Sequence, residues 1–349
     1  MPKDSYEEKS SLPFSKTIPL MRNYVKSVRD FKLKDTKQKQ GVQNLQEQKV
    51  LKISMLSALI LAVFGIAFGL AVKSLTVVFD GFISLISVGL GAMSLITSRY
   101  IYKDDDDMFQ YGYVRFEPMV NLFKSLVLIF VCVYAFINAF SSLLGGGYEV
   151  HLGAATVYSV FAFVFCLVLF VYTSLASKAL DSDLIRVDNI EWKIDCVLYM
   201  GAIIAFGVVY ALFMSAESLG ELGANAKTVA SYIDPFLLCV LSLLLCISPF
   251  KIAVANFKDL VMLAPPEIDD KITQIMEELS QKYGFSDYDT HTAKSGRFFM
   301  VEVNILVQKD FQSPVANLDA IREEIEKALA MPSYRIWLSV SFTANPLWL

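Results

Sequence analysis

The chain has 349 residues, of which 55% are hydrophobic, and its formal net charge is −4. Its mean hydropathy of +0.48 is too high for an ordinary soluble protein of this length, and the apolar residues come in long blocks, which is typical of a membrane protein. The slightly acidic balance gives no reason to expect nucleic acid as a partner, and the five cysteines lack the spacing of a disulfide or metal framework.

The first 50 residues are polar and basic, and they lack the apolar core of a signal peptide. We therefore expect residues 1–50 to form a cytoplasmic tail that becomes helical toward the membrane. Its lysines and arginines are a cytoplasmic topology signal, and they could also bind the headgroups of the lipid bilayer.

Six apolar segments follow, and each supplies the roughly 20 residues that a membrane-spanning helix needs. The predicted spans, in chain order, are Leu51–Val72, Leu75–Tyr102, Phe116–Leu144, Ala154–Leu175, Leu184–Met214 and Ala230–Ile252. Residues 51–255 are thus predicted to form an all-α transmembrane bundle of six helices.

Lysine and arginine are distributed unevenly over the segment ends. The segment ends on one side of the membrane carry seven basic residues: Arg99, Lys103, Arg115, Lys178, Arg186, Lys251 and Lys258. The loops on the other side have only Lys73 and Lys227. The positive-inside rule therefore predicts a multi-pass protein with both termini in the cytoplasm.

The run Asp104–Asp107 then lies on the cytoplasmic side, where it either attracts cations or is a solvated acidic loop. No organellar signal is evident, so the expected location is the inner (plasma) membrane of a cell.

Residues 256–349 change to the composition of a soluble domain. Helical periodicity predicts helices over Glu267–Tyr283 and Ser313–Met331. Alternation of apolar and polar residues predicts strands near Ser286–Thr292, Phe299–Val307 and Ile336–Phe342. The order α-β-β-α-β indicates a small cytoplasmic α+β domain with its helices over one face of a sheet.

Two of the apolar segments carry carboxylates. Asp80 and Ser84 in the second segment, like Glu191 and Asp195 in the fifth, are four residues apart and so share one helix face. A charged side chain in the membrane costs roughly 2.5–3.5 kcal/mol even on lenient scales, and it is rare without a partner, an ion or water. We interpret these four residues as ligands that converge on one metal cation.

An alternative interpretation is structural: the carboxylates belong to a buried ion pair with Lys193 or Lys124 as the partner. If the site does bind a cation, its oxygen donors suit Mn²⁺, Mg²⁺ or Fe²⁺ better than Zn²⁺, which nitrogen and sulfur ligands favour. The choice among Mn, Fe, Co, Mg and Zn stays open.

In its order of elements the chain resembles the cation diffusion facilitators, a family of metal/proton antiporters. The resemblance covers about residues 45–345 and includes the six segments, the tail domain and the two spaced ligand pairs. Two local stretches add to it. One follows the acidic loop and reads Tyr111-Gly112-Tyr113-Val114-Arg115-Phe116-Glu117, and the other is the junction Met262-Leu263-Ala264-Pro265-Pro266-Glu267.

The resemblance implies a divalent cation as substrate, protons as the exchanged ion and a homodimer. Zinc-carrying members usually have His or Asp first and Asp second in each pair, and Ser84 and Glu191 depart from that pattern. The resemblance also implies an ion pair between Arg115 and an acid just before the tail domain. Met262 stands at that position, and Asp259 lies three residues earlier.

The tail domain of this family often holds further metal through histidines. A candidate regulatory site here comprises His291, Asp287, Asp289, Glu302 and Asn345. The domain's principal expected role is dimerisation, to which Trp337 and Phe299 could contribute.

The expected function is export of a divalent metal cation from the cytoplasm by proton antiport with alternating access. The alternative is a non-transporting membrane metal sensor or scaffold that uses the same fold to present its tail domain. Since the sequence resembles no nucleophile–base pair, phosphate loop or zinc-hydrolase motif, we do not expect an enzyme.

Overall fold

The computed structural model describes residues 14–71, 75–101, 103, 106–109, 112–146, 152–218, 222–331 and 336–349. Long helices come first and a small α+β domain follows. The predicted architecture, a six-helix membrane bundle with an α-β-β-α-β domain after it, is confirmed.

The bundle helices are α1 (Phe14–Ala71), α2 (Leu75–Ile101), α3 (Phe116–Leu144), α4 (Leu152–Leu180), α5 (Asp183–Ser218) and α6 (Leu222–Leu260). Each contains a stretch that is long and apolar enough to cross a membrane. Helix α6 packs along α3 and α5, and α4 packs along α5. The odd-numbered helices leave the end of the bundle that carries the C-terminal domain, and the even-numbered helices return to it.

Helix α1 begins at Phe14, whereas the sequence predicts a partly helical tail before a first span at Leu51. No glycine or proline interrupts residues 20–40, and the lysines and glutamines there are good helix formers, so the polar tail continues the helix. The first 13 residues of the expected tail lie outside the described residues. The chain divides after Leu45 into two compact units, the first of which ends within α1.

Glycines let α1 and α2 approach each other closely. A Cβ atom on Gly81 would lie 2.6 Å from the backbone nitrogen of Ile66, and a Cβ on Gly65 would lie 2.9 Å from the hydroxyl of Tyr158. Small residues commonly permit such backbone contacts between membrane helices. The glycines thereby leave room for a tyrosine of α4 beside α2.

The C-terminal domain consists of α7 (Pro266–Tyr283), β1 (Asp287–Ser295), β2 (Phe298–Leu306), α8 (Val315–Leu329) and β3 (Ile336–Thr343). The strands lie in the order β1-β2-β3, with β1 antiparallel and β3 parallel to the central strand. One face of each helix and alternate strand residues form a single core, which includes Ile272, Met276, Val303, Ile305 and Ile325.

The turn between β1 and β2 docks onto the bundle through a buried ion cluster. Arg297 donates to the two carboxylate oxygens of Glu117 at 3.0 and 2.7 Å and to Glu47 at 3.1 Å. The hydroxyl of Ser98 donates to the other oxygen of Glu47 at 2.5 Å. Gly296, with a φ of +59°, precedes the arginine, and a Cβ there would lie 2.8 Å from Glu117. The turn therefore requires glycine both for its backbone conformation and for its approach to the bundle.

The ion pair implied for Arg115 takes a different form. Arg115 donates to the sulfur of Met262 at 2.9 Å, and Asp259 forms its ion pair with Lys294 of β1 at 3.0 Å. At this junction the bundle supplies the acidic side chains and the C-terminal domain supplies the basic ones. The implied ion pair would instead have used a basic residue of the bundle, Arg115.

We predict that Gly81→Ala destabilises the bundle by about 1–3 kcal/mol, because the new methyl group overlaps the α1 backbone. Gly89 is a matched control in the same helix, since a Cβ there would meet no atom within 4 Å. Gly89→Ala should leave the melting temperature unchanged or raise it, because alanine favours a helix. Thermal unfolding of the purified full-length protein in detergent measures both effects, and equal melting temperatures for the two variants would contradict the predicted contact.

We predict that Arg297→Gln releases the β1–β2 turn from the bundle. Glu47 and Glu117 would then be buried without a counter-ion, a loss that costs about 3–5 kcal/mol for a buried pair. Hydrogen exchange should speed up in β1, in β2 and in the first turns of α3. Lys327→Gln, which removes an exposed i, i+4 pair with Glu323, is the control and should leave exchange at the junction unchanged. Unchanged exchange in Arg297→Gln would show that the cluster does not hold the junction.

Candidate metal centre

The four predicted ligands lie on α2 and α5 and line cavities inside the bundle. Asp80 is the sixth residue of α2, and Ser84 follows one turn later. Glu191 and Asp195 are one turn apart on α5. Glu191 is buried and the other three side chains are half-buried.

Asp80 is bound by two phenol groups. Tyr158 of α4 and Tyr199 of α5 both donate to its Oδ2 atom at 2.5 Å. These three residues line a cavity of about 300 Å³ whose other walls are mainly apolar. The cavity extends to Val77, in the first turn of α2, and so reaches toward the end of the bundle away from the C-terminal domain.

The other three predicted ligands line a second, much smaller cavity. Ser84, Glu191 and Asp195 surround a space of about 10 Å³, which is the room of about one water molecule. The hydroxyl of Ser84 donates to the carbonyl of Asp80 in its own helix at 3.1 Å. Its oxygen keeps lone pairs, so it remains able to accept a hydrogen bond or to bind a cation weakly.

Glu191 lies beside a buried lysine. The ammonium of Lys124 in α3 is 3.9 Å from Glu191 Oε2, but its direct ionic partner is Asp188, one turn earlier on α5. Of the two lysines in the structural alternative, Lys124 therefore lies at the outer limit of ion-pair distance from Glu191, whereas Lys193 exposes its side chain on the outer surface of α5. Neither lysine forms an ion pair with Asp80, which the two tyrosines bind instead.

The two halves of the site are one helical turn apart. Asp195 lines the smaller cavity, and its carboxylate is within electrostatic range of both Glu191 and Asp80. Within the described residues, no three His, Cys, Asp or Glu side chains are close enough together to hold a metal ion. The structure therefore brings Ser84, Glu191 and Asp195 to one cavity and places Asp80 in the neighbouring one.

The acidic loop between α2 and α3 is described only in part, since Asp104 and Asp105 lie outside the described residues. Asp106 accepts hydrogen bonds from Tyr113 at 2.6 Å and from Lys103 at 3.0 Å. These two donors hold the pKa of Asp106 well below its usual range, the tyrosine being the larger cause. Because a lysine pairs with this carboxylate, its charge is partly neutralised within the loop.

The candidate regulatory site of the C-terminal domain is open. The His291 side chain is 65% exposed and lies 3.8 Å from Asp289, and Glu302 is its neighbour across the β1–β2 ladder. His291, Glu302 and Trp337 line one wall of a cavity of about 600 Å³ between the sheet and the bundle. These side chains do not form a compact ligand set.

Four residues at the site are not among those that the sequence predicts. Asp188, three residues before Glu191, and Tyr199, four residues after Asp195, share the α5 face of the predicted ligands, so helical spacing could have found both. Tyr158 has no such signal, because its partner is 78 residues away. Ser94, which accepts from Lys124 at 3.0 Å, likewise depends on a contact between distant segments.

Six membrane-capable helices that enclose buried carboxylates, followed by a small α+β domain, define a membrane transporter of cations. A sequence model of the cation efflux transmembrane domain matches residues 51–261, which is more than half of the chain. The protein therefore belongs to the cation efflux family, and its resemblance to cation diffusion facilitators is confirmed.

Curated relatives agree with this assignment. The chain is 17% identical over 247 residues to the cation-efflux pump FieF of Shigella boydii serotype 18 (strain CDC 3083-94 / BS512), covering 70% of this chain and 75% of the relative. The same figures hold for the cation-efflux pump FieF of Escherichia coli (strain K12 / DH10B).

We predict that Tyr199→Phe weakens the apparent affinity for a transported metal about 10–100-fold, as loss of a group that orients a ligand commonly does. The substitution leaves Asp80 Oδ2 with one phenol donor instead of two. Initial rates of metal uptake in proteoliposomes give the affinity. Tyr210→Phe on the exposed face of the same helix is the control and should behave as wild type. Equal affinities for the two variants would mean that the Tyr199 hydroxyl does not position Asp80.

Proposed function

We propose that the protein exports a divalent metal cation from the cytoplasm in exchange for protons, with Asp80, Ser84, Glu191 and Asp195 as the ligands. The observation that carries this proposal is the set of three carboxylates on facing turns of α2 and α5, inside a bundle of the cation efflux family. The relatives are named cation-efflux pumps, which supports export as the direction.

In this proposal, metal binding draws the two halves of the site together. Asp195 already interacts with Asp80 and Glu191, and a divalent cation between them would offset their mutual repulsion. Asp80 would turn one oxygen from its tyrosines toward the cation. Because coordinating carboxylates must be deprotonated, protons and metal compete for the same oxygens, which couples their opposite movements.

Alternating access is supported by the unequal cavities on the two sides of the site. The larger cavity leads from Asp80 toward the end of the bundle away from the C-terminal domain, while the cavity at Glu191 has room for about one water molecule. This arrangement fits a conformation that faces away from the C-terminal domain. In the opposite conformation, helix movement would widen the space at Glu191 and close the one at Asp80.

The donor set favours a hard cation. Carboxylate and hydroxyl oxygens suit Mn²⁺, Mg²⁺ or Fe²⁺, whereas Zn²⁺ is better served by imidazole or thiolate, and Co²⁺ lies between them. The two phenol groups at Asp80 add further oxygen atoms to the site. We therefore expect Mn²⁺ or Fe²⁺ to be carried faster than Zn²⁺.

The proposed setting is an inner membrane with both termini and the acidic loop in the cytoplasm. The lysines and arginines near the end of the bundle that carries the C-terminal domain support this orientation. Residues 51–255 would carry out transport, and residues 256–349 would form a homodimer through the face of the sheet that α7 and α8 leave uncovered, where Trp337 is 57% exposed.

We predict that Asp80→Ala and Asp195→Ala each reduce metal-driven proton movement at least 100-fold, because each removes a negative ligand from the site. Proteoliposomes with a pH gradient, tested with Mn²⁺, Fe²⁺, Co²⁺, Mg²⁺, Zn²⁺ and Cd²⁺, measure metal uptake and proton release together. Asp310→Ala, which removes an exposed carboxylate from the loop after β2, is the control and should transport at the wild-type rate. Wild-type transport by either site variant would overturn the ligand assignment. A wild-type protein that moves none of these ions would instead favour the sensor or scaffold.

A further inference from the structure

Among the described residues of the bundle, the most deeply buried cation is Lys124 in α3. Its side chain has no exposed surface, and it is the largest of the fully buried side chains in the part of the chain that the structure describes. Burying a charged lysine in a membrane interior costs free energy unless an opposite charge or hydrogen bonds compensate it. The partners of Lys124 are therefore the groups that make its burial tolerable.

Lys124 connects three helices beside the candidate metal centre. It donates to Asp188 of α5 and, at 3.0 Å, to the hydroxyl of Ser94 of α2. Ser94 in turn donates to the same Asp188 oxygen at 3.4 Å. Glu191 lies 3.9 Å from the ammonium, on the same face of α5 as Asp188. Lys124 therefore has one direct anionic partner and a second, more distant one that is a proposed metal ligand.

The carboxylates of Asp188 and Glu191 each have one buried oxygen that is not hydrogen-bonded to the described part of the protein. Asp188 Oδ2 and Glu191 Oε1 are buried without a hydrogen-bond partner within the described residues. Both carboxylates line the small cavity that Ser84 and Asp195 also line. Asp188 thus belongs electrostatically to the metal cavity, although it is paired with the lysine.

We propose that Lys124 is a tethered counter-cation that competes with the divalent metal for Glu191, and that Asp188 holds it back. This inference rests on the proposed transport function. The ammonium keeps the negative charge of the cavity low enough for the metal to leave again, and Asp188 keeps the ammonium from pairing fully with Glu191. Lys124 and Asp188 are positioning residues that set metal affinity in opposite directions.

The test is a charge-pair cycle on the full-length protein in detergent, with Mn²⁺ as the calorimetric probe. Lys124→Gln should tighten Mn²⁺ binding at least tenfold, since the competing and repelling cation is removed. Asp188→Asn should weaken it at least tenfold, since an anion is lost and the freed ammonium moves to Glu191. The double variant, which removes one charge of each sign, should bind within about threefold of wild type.

Transport kinetics distinguish the proposed role of Lys124 from a purely structural one. In proteoliposomes, Lys124→Gln should lower both KM and the turnover number for Mn²⁺, because tighter binding slows release. Lys193→Gln is the matched control: it removes the same charge from the exposed side of α5, two residues from Asp195, and should change neither value more than twofold.

The outcomes separate this inference from the proposed function. A wild type that transports Mn²⁺, together with single variants that shift affinity in the same direction or not at all, overturns the inference alone. A wild type that neither binds nor moves any ion of the metal panel overturns the transport function and the inference with it. If Lys124→Gln does not fold, the Asp188→Asn and double variants decide the point, because adding Lys124→Gln to Asp188→Asn must then tighten binding.

Discussion

Charge buried in a low-dielectric interior is the constraint on which this structure depends. A carboxylate or an ammonium is costly there unless hydrogen bonds and an opposite charge compensate it. The protein meets this requirement with contacts between helices that are far apart in sequence. Two phenols bind Asp80, Lys124 binds Asp188, and Arg297 binds Glu117 together with Glu47. These contacts join the inward faces of α1, α2, α3 and α5 to one another, to α4 and to the C-terminal domain.

The close packing of α1 against α2 also affects a hydrogen bond to Asp80. Gly65 and Gly81 let the backbones of α1 and α2 touch, and Gly65 also leaves the space that the Tyr158 hydroxyl needs to reach Asp80. A larger residue at Gly65 would affect the hydrogen bond of a proposed metal ligand without touching that ligand. The position of Asp80 thus depends on Gly65, which is not part of the candidate metal centre.

Local patterns predicted the architecture well, because hydrophobic blocks and the periods of helices and strands are written in neighbouring residues. The six spans, the α-β-β-α-β order and the helical setting of the four proposed ligands follow from such patterns. The partners of the buried charges do not: Tyr199 is 119 residues from Asp80, and Arg297 is 180 residues from Glu117. Arg297 reads locally as the second residue of a hairpin turn, so nothing near it in sequence indicates that it enters the bundle. The length of α1 was underestimated for another reason, since its polar composition suggested a tail although its residues favour a helix.

Helix α3 joins the two charged regions of the molecule. Glu117 in its first turn holds Arg297 of the C-terminal domain, and Lys124 holds Asp188 beside the candidate metal centre. Seven residues separate them, two turns of a helix, so both side chains point to nearly the same face about 10 Å apart. Between them lies Asn121, fully buried on that same face. Because α3 is continuous from Phe116 to Leu144, a rotation imposed at Glu117 must also move Lys124 relative to α5. The C-terminal domain and the candidate metal centre are therefore mechanically connected through one helix that carries none of the proposed ligands.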